Sequence, residues 1–341
     1  MAVVKADAYG HGAVEISKAG NRIGINNFVV AFLEEALELA RSDINGEILI
    51  LNYFDPKYLK EVVHSGISVS LFNIEQIKEW NEVLNENEKK ALKIHLNLDT
   101  GMRILGFNIE EAHEVIEYLF ENGFHLEGIY SHYSDADNVD RDYSNKQLNS
   151  FRTFVNEIAQ KFNVECLHMS NSAAVLKYKN DLENYVRLGI YSYGLQAEQN
   201  ILLDEIKPVM SFKSVISDIK NLEKDNTVGY GRSYKAKKKM KIAIIPVGYA
   251  DGYSRFFSNN GEVLIKGMRC PIVGKICMDQ FAVDISGLNK KPSIGEEVVL
   301  FGQQNSGFIK AEELAERIGA LNYEITCNIS KRVERKYVEI V

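Results

Sequence analysis

The sequence predicts an α/β protein, with an N-terminal (β/α)8 barrel over residues 1–205 and a mostly β C-terminal domain over residues 206–341. Three observations point there. The first part of the chain alternates short apolar runs with segments of helical periodicity, eight runs in all. Several runs are apolar throughout, as strands buried on both faces are. No strand-to-helix junction carries the G-x-G-x-x-G fingerprint of an open dinucleotide-binding sheet, so a closed sheet is the better reading.

The elements follow in order. Val3–Lys5 reads as the first strand, with a helix at Ala13–Ala19. Phe28–Phe32 is the second strand, with a helix at Leu33–Arg41. The turn residues Asn45 and Gly46 introduce a strand at Glu47–Leu51, followed by a helix at Pro56–His64. Ser68–Phe72, Leu92–Leu98, Leu126–His132 and Glu165–Met169 continue the strands; the helices after them are Ile74–Val83, Glu110–Glu121, Ser144–Lys161 and Ser172–Lys177. Tyr185–Leu188 is the eighth strand. Parallel neighbours need crossovers, which these helices supply. Beyond Ile206 the texture changes to strands at Val215–Ile219, Met240–Ile245, Glu262–Ile265, Phe281–Ile285 and Glu297–Phe301, with one helix at Ala311–Ile318.

The 341 residues are 45% hydrophobic and 26% charged, an ordinary globular balance, and the net charge of −7 argues against a nucleic-acid partner. The basic run Lys235 to Lys241 reads as a solvated loop edge. Four separated cysteines without metal-ligand spacing predict neither a disulfide framework nor a metal site and fit a reducing compartment. No apolar run reaches membrane-spanning length and no signal peptide is expected, so the expected location is the cytoplasm.

Barrels of this kind carry their chemistry at the C-terminal ends of the strands. Lys5 ends the first; Asn97 to Asp99, Ser131 with His132, and Ser170 to Ser172 end later ones, and Arg187 lies in the eighth before Gly189 and Ile190. Singly, each has a structural reading: Lys5 as a loop lysine, His132 as a satisfied core histidine, Arg187 as an ion-pair partner, Ser172 as a helix cap and Gly189 as a turn. Lys5, however, sits among apolar and small residues, and a buried lysine becomes a nucleophilic amine. Ser172 and Gly189, after strands seven and eight, lie where this fold often holds phosphate. Together these suggest a phosphorylated carbonyl cofactor, pyridoxal phosphate.

The segment VVKADAYGHG, residues 3–12, resembles the cofactor-lysine motif of alanine racemases. DTGM at 99–102, SNSAA at 170–174, VGYGRSY at 228–234, PVGYADGY at 246–253 and PIVGKICMDQ at 271–280 are similar to further family motifs, and the resemblance spans nearly the whole chain. It implies an amino-acid racemase that interconverts L- and D-alanine with pyridoxal 5'-phosphate by a two-base mechanism, supplies D-alanine for peptidoglycan, and forms a head-to-tail homodimer with shared active sites. By the same resemblance, Lys5 is the Schiff-base lysine and one base, and Tyr230 is the opposite base, reaching in from the partner subunit. Tyr9, Ser172, Gly189, Ile190 and Tyr323 resemble phosphate contacts. Arg187 resembles the residue that faces the pyridine nitrogen, with His132 and His168 beside it. Cys277, Met278 and Asp279 resemble a partner-subunit loop near substrate, and Tyr249 an entryway residue.

Departures accompany the match. The family pattern has a strand and a helix before the lysine motif, so Met1 is read as an internal start or fragment edge and the second domain is expected to lack a strand. Ile104 stands where the family places an arginine, with Arg103 one residue earlier, and substrate affinity or specificity is expected to differ. Asn97 takes a position that is a lysine in many relatives, and Glu334 one that is commonly proline. A serine racemase of the same family, a basic-amino-acid decarboxylase and an inactive cofactor-binding relic are the competing readings; Tyr323 favours alanine because its ring narrows the pocket.

Overall fold

The computed structural model describes residues 1–159, 161–178, 180–196 and 206–338. The chain divides into two compact units: Met1–Ala8 with Gly12–Ser192, and Tyr9–His11 with Tyr193–Gln196 and residues 206–338. The expected boundary after residue 205 falls at the edge of residues outside those described.

The first unit contains a parallel sheet of seven strands in sequence order: β1 (Ala2–Val3), β2 (Asn27–Val30), β3 (Glu47–Ile50), β4 (Ser68–Leu71), β5 (Lys93–Asn97), β6 (His125–Tyr130) and β7 (Cys166–His168). The strands follow in sequence order with every neighbour parallel, and the sheet curls into a half-barrel. The apolar runs are buried, with Val29, Val30, Ile50, Val69, Leu71, Ile94 and Leu96 wholly inaccessible. The expected eighth strand, Tyr185–Leu188, is not a regular strand. It makes isolated parallel bridges instead, Tyr185 to His168 and Leu188 to Ala2, because its backbone changes partner within four residues. Helices at Ile74–Val83 and Ser172–Lys177 coincide with expectation; a further helix at Glu86–Ala91 was not foreseen. It begins in a capping box in which Asn85 and Glu88 satisfy each other's backbone N–H.

After β1 the backbone turns left-handed. Ala6, Asp7, Ala8 and Tyr9 have φ between 52° and 55°, where L-residues pay roughly 1–2 kcal/mol each. The turn is tied down: Ala8 N–H donates to Val4 C=O (2.8 Å), Ala6 N–H to Glu35 Oε1 (2.6 Å), and Asp7 accepts from Gly12 N–H and Ala13 N–H. Glu35 is fixed in turn by the amides of Ala31 and Phe32 at the start of helix Leu33–Ala40.

The second unit is mostly β. Its strands are β8 (Phe212–Val215), β9 (Asp218–Leu222), β10 (Thr227–Val228), β11 (Tyr234–Lys235), β12 (Met240–Ile245), β13 (Glu262–Ile265), β14 (Met268–Val273), β15 (Phe281–Asp284), β16 (Glu297–Gln304) and β17 (Gly307–Ile309). Eight of them run β17-β16-β13-β14-β15-β12-β9 with β8 on β16, while β10 and β11 form a hairpin. The expected strand Val215–Ile219 is a correction: it is two strands, since β8 pairs with β16 and β9 with β12, and the chain breaks between them to change partner. A second helix, Asn322–Cys327, joins Ala311–Ile318. Ala236, Met240, Ile242, Val273 and Ala282 form a small apolar core, so the basic run has two buried residues in it, while Lys237, Lys238 and Lys239 stay in solvent. Among the described residues no helix is long and apolar enough to cross a membrane.

Candidate active site

Within the first unit polar groups at the C-terminal ends of β6 and β7 gather around Arg187, which is 3% exposed. Its Nη1 donates to His168 Nδ1 (2.5 Å) and His168 C=O (3.1 Å); its Nη2 donates to Ser131 C=O (2.6 Å), His132 Nδ1 (2.9 Å) and Met169 C=O (3.1 Å). The guanidinium lies 5.3 Å from the Tyr130 ring, which stacks on His168 with centroids 5.0 Å apart. No carboxylate bonds to it among the described residues, and Nε–H has no partner there. Arginine only donates, so both imidazoles must turn a lone pair toward it. Burial, then the charge of Arg187, holds His168 well below its ordinary pKa; burial, Arg187 and Lys5 bring His132 down to about 3. Burial lowers Arg187 itself to about 10.

Neutral buried histidines have a consequence for stability. The unfolded chain takes up protons below the ordinary histidine value of 6.5 and the folded chain does not, so stability is lost as pH falls from 6.5 toward about 3. Each such histidine contributes about 1.4 kcal/mol per pH unit in that window. Urea unfolding at neutral pH and near pH 5 checks this; an unchanged midpoint would contradict it.

The expected first strand, Val3–Lys5, ends earlier, at Val3; Lys5 lies two residues beyond it at the start of the left-handed turn, near enough for its charge to act on His132. Ser172 and Ile190 are buried, and Gly189 N–H donates to Ser172 Oγ (3.0 Å), which leaves the serine O–H to donate elsewhere. Asn171 caps the helix at Ser172 by accepting from Ala174 N–H (3.0 Å), and its amide approaches His132 Nε2 at 3.5 Å. These residues fit a phosphorylated pyridine aldehyde in the character of their donors: an amine, a hydroxyl donor, and a guanidinium N–H left over from an otherwise engaged web.

Other residues expected at the site lie in the second unit. Tyr9 and Tyr323 face each other with ring centroids 6.0 Å apart, and Tyr9 is 5.0 Å from Tyr193. Burial raises the Tyr9 phenol, assisted by Tyr323 and Cys327, so it stays a donor. Tyr249 N–H donates to Cys277 C=O (3.1 Å) and Ala250 N–H to Met278 C=O (3.0 Å), which joins the Tyr249 turn to the Cys277 loop. Asp279 lies close enough to Arg332 for its charge to act there. Tyr230, Tyr249 and Met278 are exposed, Tyr230 by 74%. Arg103 is also exposed and reaches Asp99 at 3.5 Å, and Ile104 is 71% exposed.

Three residues of the site were not singled out from the sequence. His95 Nδ1 lies 2.9 Å from His168 Nε2, and His95 Nε2 lies 2.9 Å from Glu127 Oε2. Gly128 packs against the His95 ring. The available signal was a histidine and a glutamate inside two runs otherwise read as buried strand.

A lysine just beyond the first parallel strand, a buried serine that accepts a glycine amide after β7 and a mostly β domain that follows are the features of a pyridoxal-phosphate enzyme class. Known proteins narrow it. The alanine racemase N-terminal domain profile matches residues 1–197 and the alanine racemase C-terminal domain profile residues 209–337. Alanine racemase 2 of Caldanaerobacter subterraneus subsp. tengcongensis is 37% identical over 343 residues, covering 99% of this chain and 88% of that one. The alanine racemase of Bacillus anthracis with bound L-Ala-P superposes with a TM-score of 0.91 at 34% identity, over 100% of this chain and 90% of that one. The Bartonella henselae alanine racemase with covalently bound pyridoxal phosphate gives 0.87 at 31% identity, over 99% and 92%. The chain belongs to the alanine racemase family, whose members are amino-acid racemases, and so isomerases.

Proposed function

We propose that this chain interconverts L- and D-alanine as a cytoplasmic homodimer that supplies D-alanine for peptidoglycan, with each active site built from both subunits. The observation that supports the reading is the web around Arg187, a buried guanidinium bonded to two neutral imidazoles and to no carboxylate among the described residues, which in this reading faces the ring nitrogen. Pyridoxal phosphate, when bound, supplies an aldehyde for the amino group and draws electron density from the α-carbon. Lys5 holds the cofactor through Nζ and moves a proton on one face, and Tyr230 of the partner subunit moves one on the other. Two bases on opposite faces need no movement of the substrate. His132, with Nδ1 occupied by Arg187, carries its proton on Nε2 and is the donor that favours the Tyr230 phenolate. Ser172, Gly189, Ile190, Tyr9 and Tyr323 take the phosphate, while Cys277, Met278, Asp279 and Tyr249 border the substrate. Arg187 gives up its proton only above about 10, so it does not protonate the ring nitrogen. That keeps the ring a weaker electron sink and limits transamination. A closed (β/α)8 barrel completes the fold in this reading, and the bridges from Tyr185 to His168 and from Leu188 to Ala2 support it.

Incubation with L-alanine, L-serine and L-lysine in heavy water tests the reading. Appearance of D-alanine with α-deuterium is the expected result. Carbon dioxide from lysine, or no exchange with cofactor still bound, would overturn it.

A further inference from the structure

The pairing of β5 with β6 slips once. Ile94 opposes Leu126 and His95 opposes Gly128, so Glu127 is the additional residue of a bulge. A bulge re-aims a side chain that regular alternation would send elsewhere. Here Glu127 Oε2 accepts from Ser68 Oγ (2.8 Å) and meets His95 Nε2 (2.9 Å). The next residue has no side chain, and needs none: a Cβ on Gly128 would stand 2.5 Å from His95 Nδ1 and 2.7 Å from its Cε1. Bulge and glycine together give the His95 ring its place, 2% exposed.

The result is a column from half-buried Glu127 through buried His95 and His168 to Arg187. An ionised carboxylate only accepts and a guanidinium only donates, so the two ends dictate every proton between them. His95 carries its proton on Nε2 and gives it to Glu127; its Nδ1 accepts from His168 Nε2–H; His168 Nδ1 accepts from Arg187. An added proton on either ring would set two N–H groups against each other. Burial alone would raise the Glu127 carboxyl, but the His95 and Ser68 hydrogen bonds and Lys93, 3.9 Å away, hold it below its usual value, so the acceptor stays ionised.

We propose that Glu127 and His95 are positioning residues for the racemase reaction, fixing the tautomers that hold Arg187 in one orientation toward the cofactor's ring nitrogen. The proposal rests on the racemase reading above. Neither residue touches cofactor or substrate in it; both act through His168.

The test separates acceptor from charge. Glu127→Met removes the acceptor at similar length, and Glu127→Gln keeps an oxygen able to take the His95 proton. Gly128→Ala displaces the ring without altering any charge. Imidazole nitrogen NMR on the cofactor-free protein reads the tautomers directly. Wild type and Glu127→Gln are expected to show His95 and His168 as single Nε2–H forms, with Glu127→Met and Gly128→Ala showing mixtures. On the loaded enzyme, pyruvate and pyridoxamine phosphate formed per racemisation event are expected to rise about tenfold in those two variants, the factor set by losing one ordinary hydrogen bond, and to stay at the wild-type ratio in Glu127→Gln. Single tautomers in Glu127→Met would overturn the proposal, and so would mixed tautomers with an unchanged ratio. Absence of racemisation in wild type would instead sink the racemase reading, and the NMR comparison would still decide whether the column sets the tautomers.

Discussion

Lys5→Ala is expected to lower racemisation by about 10^4-fold, the upper end of what one positioned acid–base group contributes, and to abolish covalent retention of the cofactor. Borohydride reduction followed by peptide mass spectrometry makes the second half direct: in wild type the cofactor mass stays with the peptide carrying Lys5, and in the variant it is lost. The size of the effect follows from position. Lys5 leaves the sheet at the first residue after Val4, which is wholly buried, and the following backbone is pinned through Ala6 and Asp7. Its direction is therefore set by main-chain bonds. Retention of the cofactor mass on another lysine would refute this assignment.

Arg187→Leu is expected to cost about 3–5 kcal/mol of folding stability, the range for removing one partner from a buried charged network. The loss leaves the Ser131 and Met169 carbonyls and the His132 and His168 lone pairs without their donor, while the His168 carbonyl keeps Ser131 N–H. Against a typical total of about 5–15 kcal/mol this is a large fraction. The urea midpoint of the cofactor-free variant measures it, and a change under about 1 kcal/mol would show that water or a rearrangement replaces the web. Arg187 thus does structural and electrostatic work with the same atoms, and a substitution there separates the two only when stability and product distribution are both read.

Much of this was legible in the sequence because buried parallel strands announce themselves. Glu47 to Ile50, Ser68 to Leu71 and Met240 to Ile245 begin where the apolar runs begin, and helices Ile74–Val83 and Ala311–Ile318 have the expected bounds. What stayed hidden depends on partners distant in sequence. The stretch 215–219 has one uniform β pattern, yet its two ends belong to different neighbours. Tyr185–Leu188 looks like a strand and pairs only at single bridges. In the site, Arg187 and His132 were named from the ends of strands and His168 from motif resemblance, and the structure brings them together. Glu127 was invisible because its role comes from a bulge, a slip in register that no single strand encodes. The left-handed turn was equally hidden, since of Ala6, Asp7, Ala8 and Tyr9 only the aspartate is a residue that takes that conformation readily.

That turn also solves a counting problem. β1 is two residues long, pairing Ala2 with Phe28 and Val3 with Val29, and so short a strand hardly distinguishes one alignment from the next. A slip by one position would exchange the faces of the sheet and present Val4 or Ala6 where the amine belongs. The slipped chain would have to place the Glu35 and Asp7 anchors one residue out of step, with nothing to offset the left-handed conformation. The mirror-image turn is in this sense an alignment stop, tolerating strain in its own backbone so that Lys5, and no neighbour, arrives at the end of the strand.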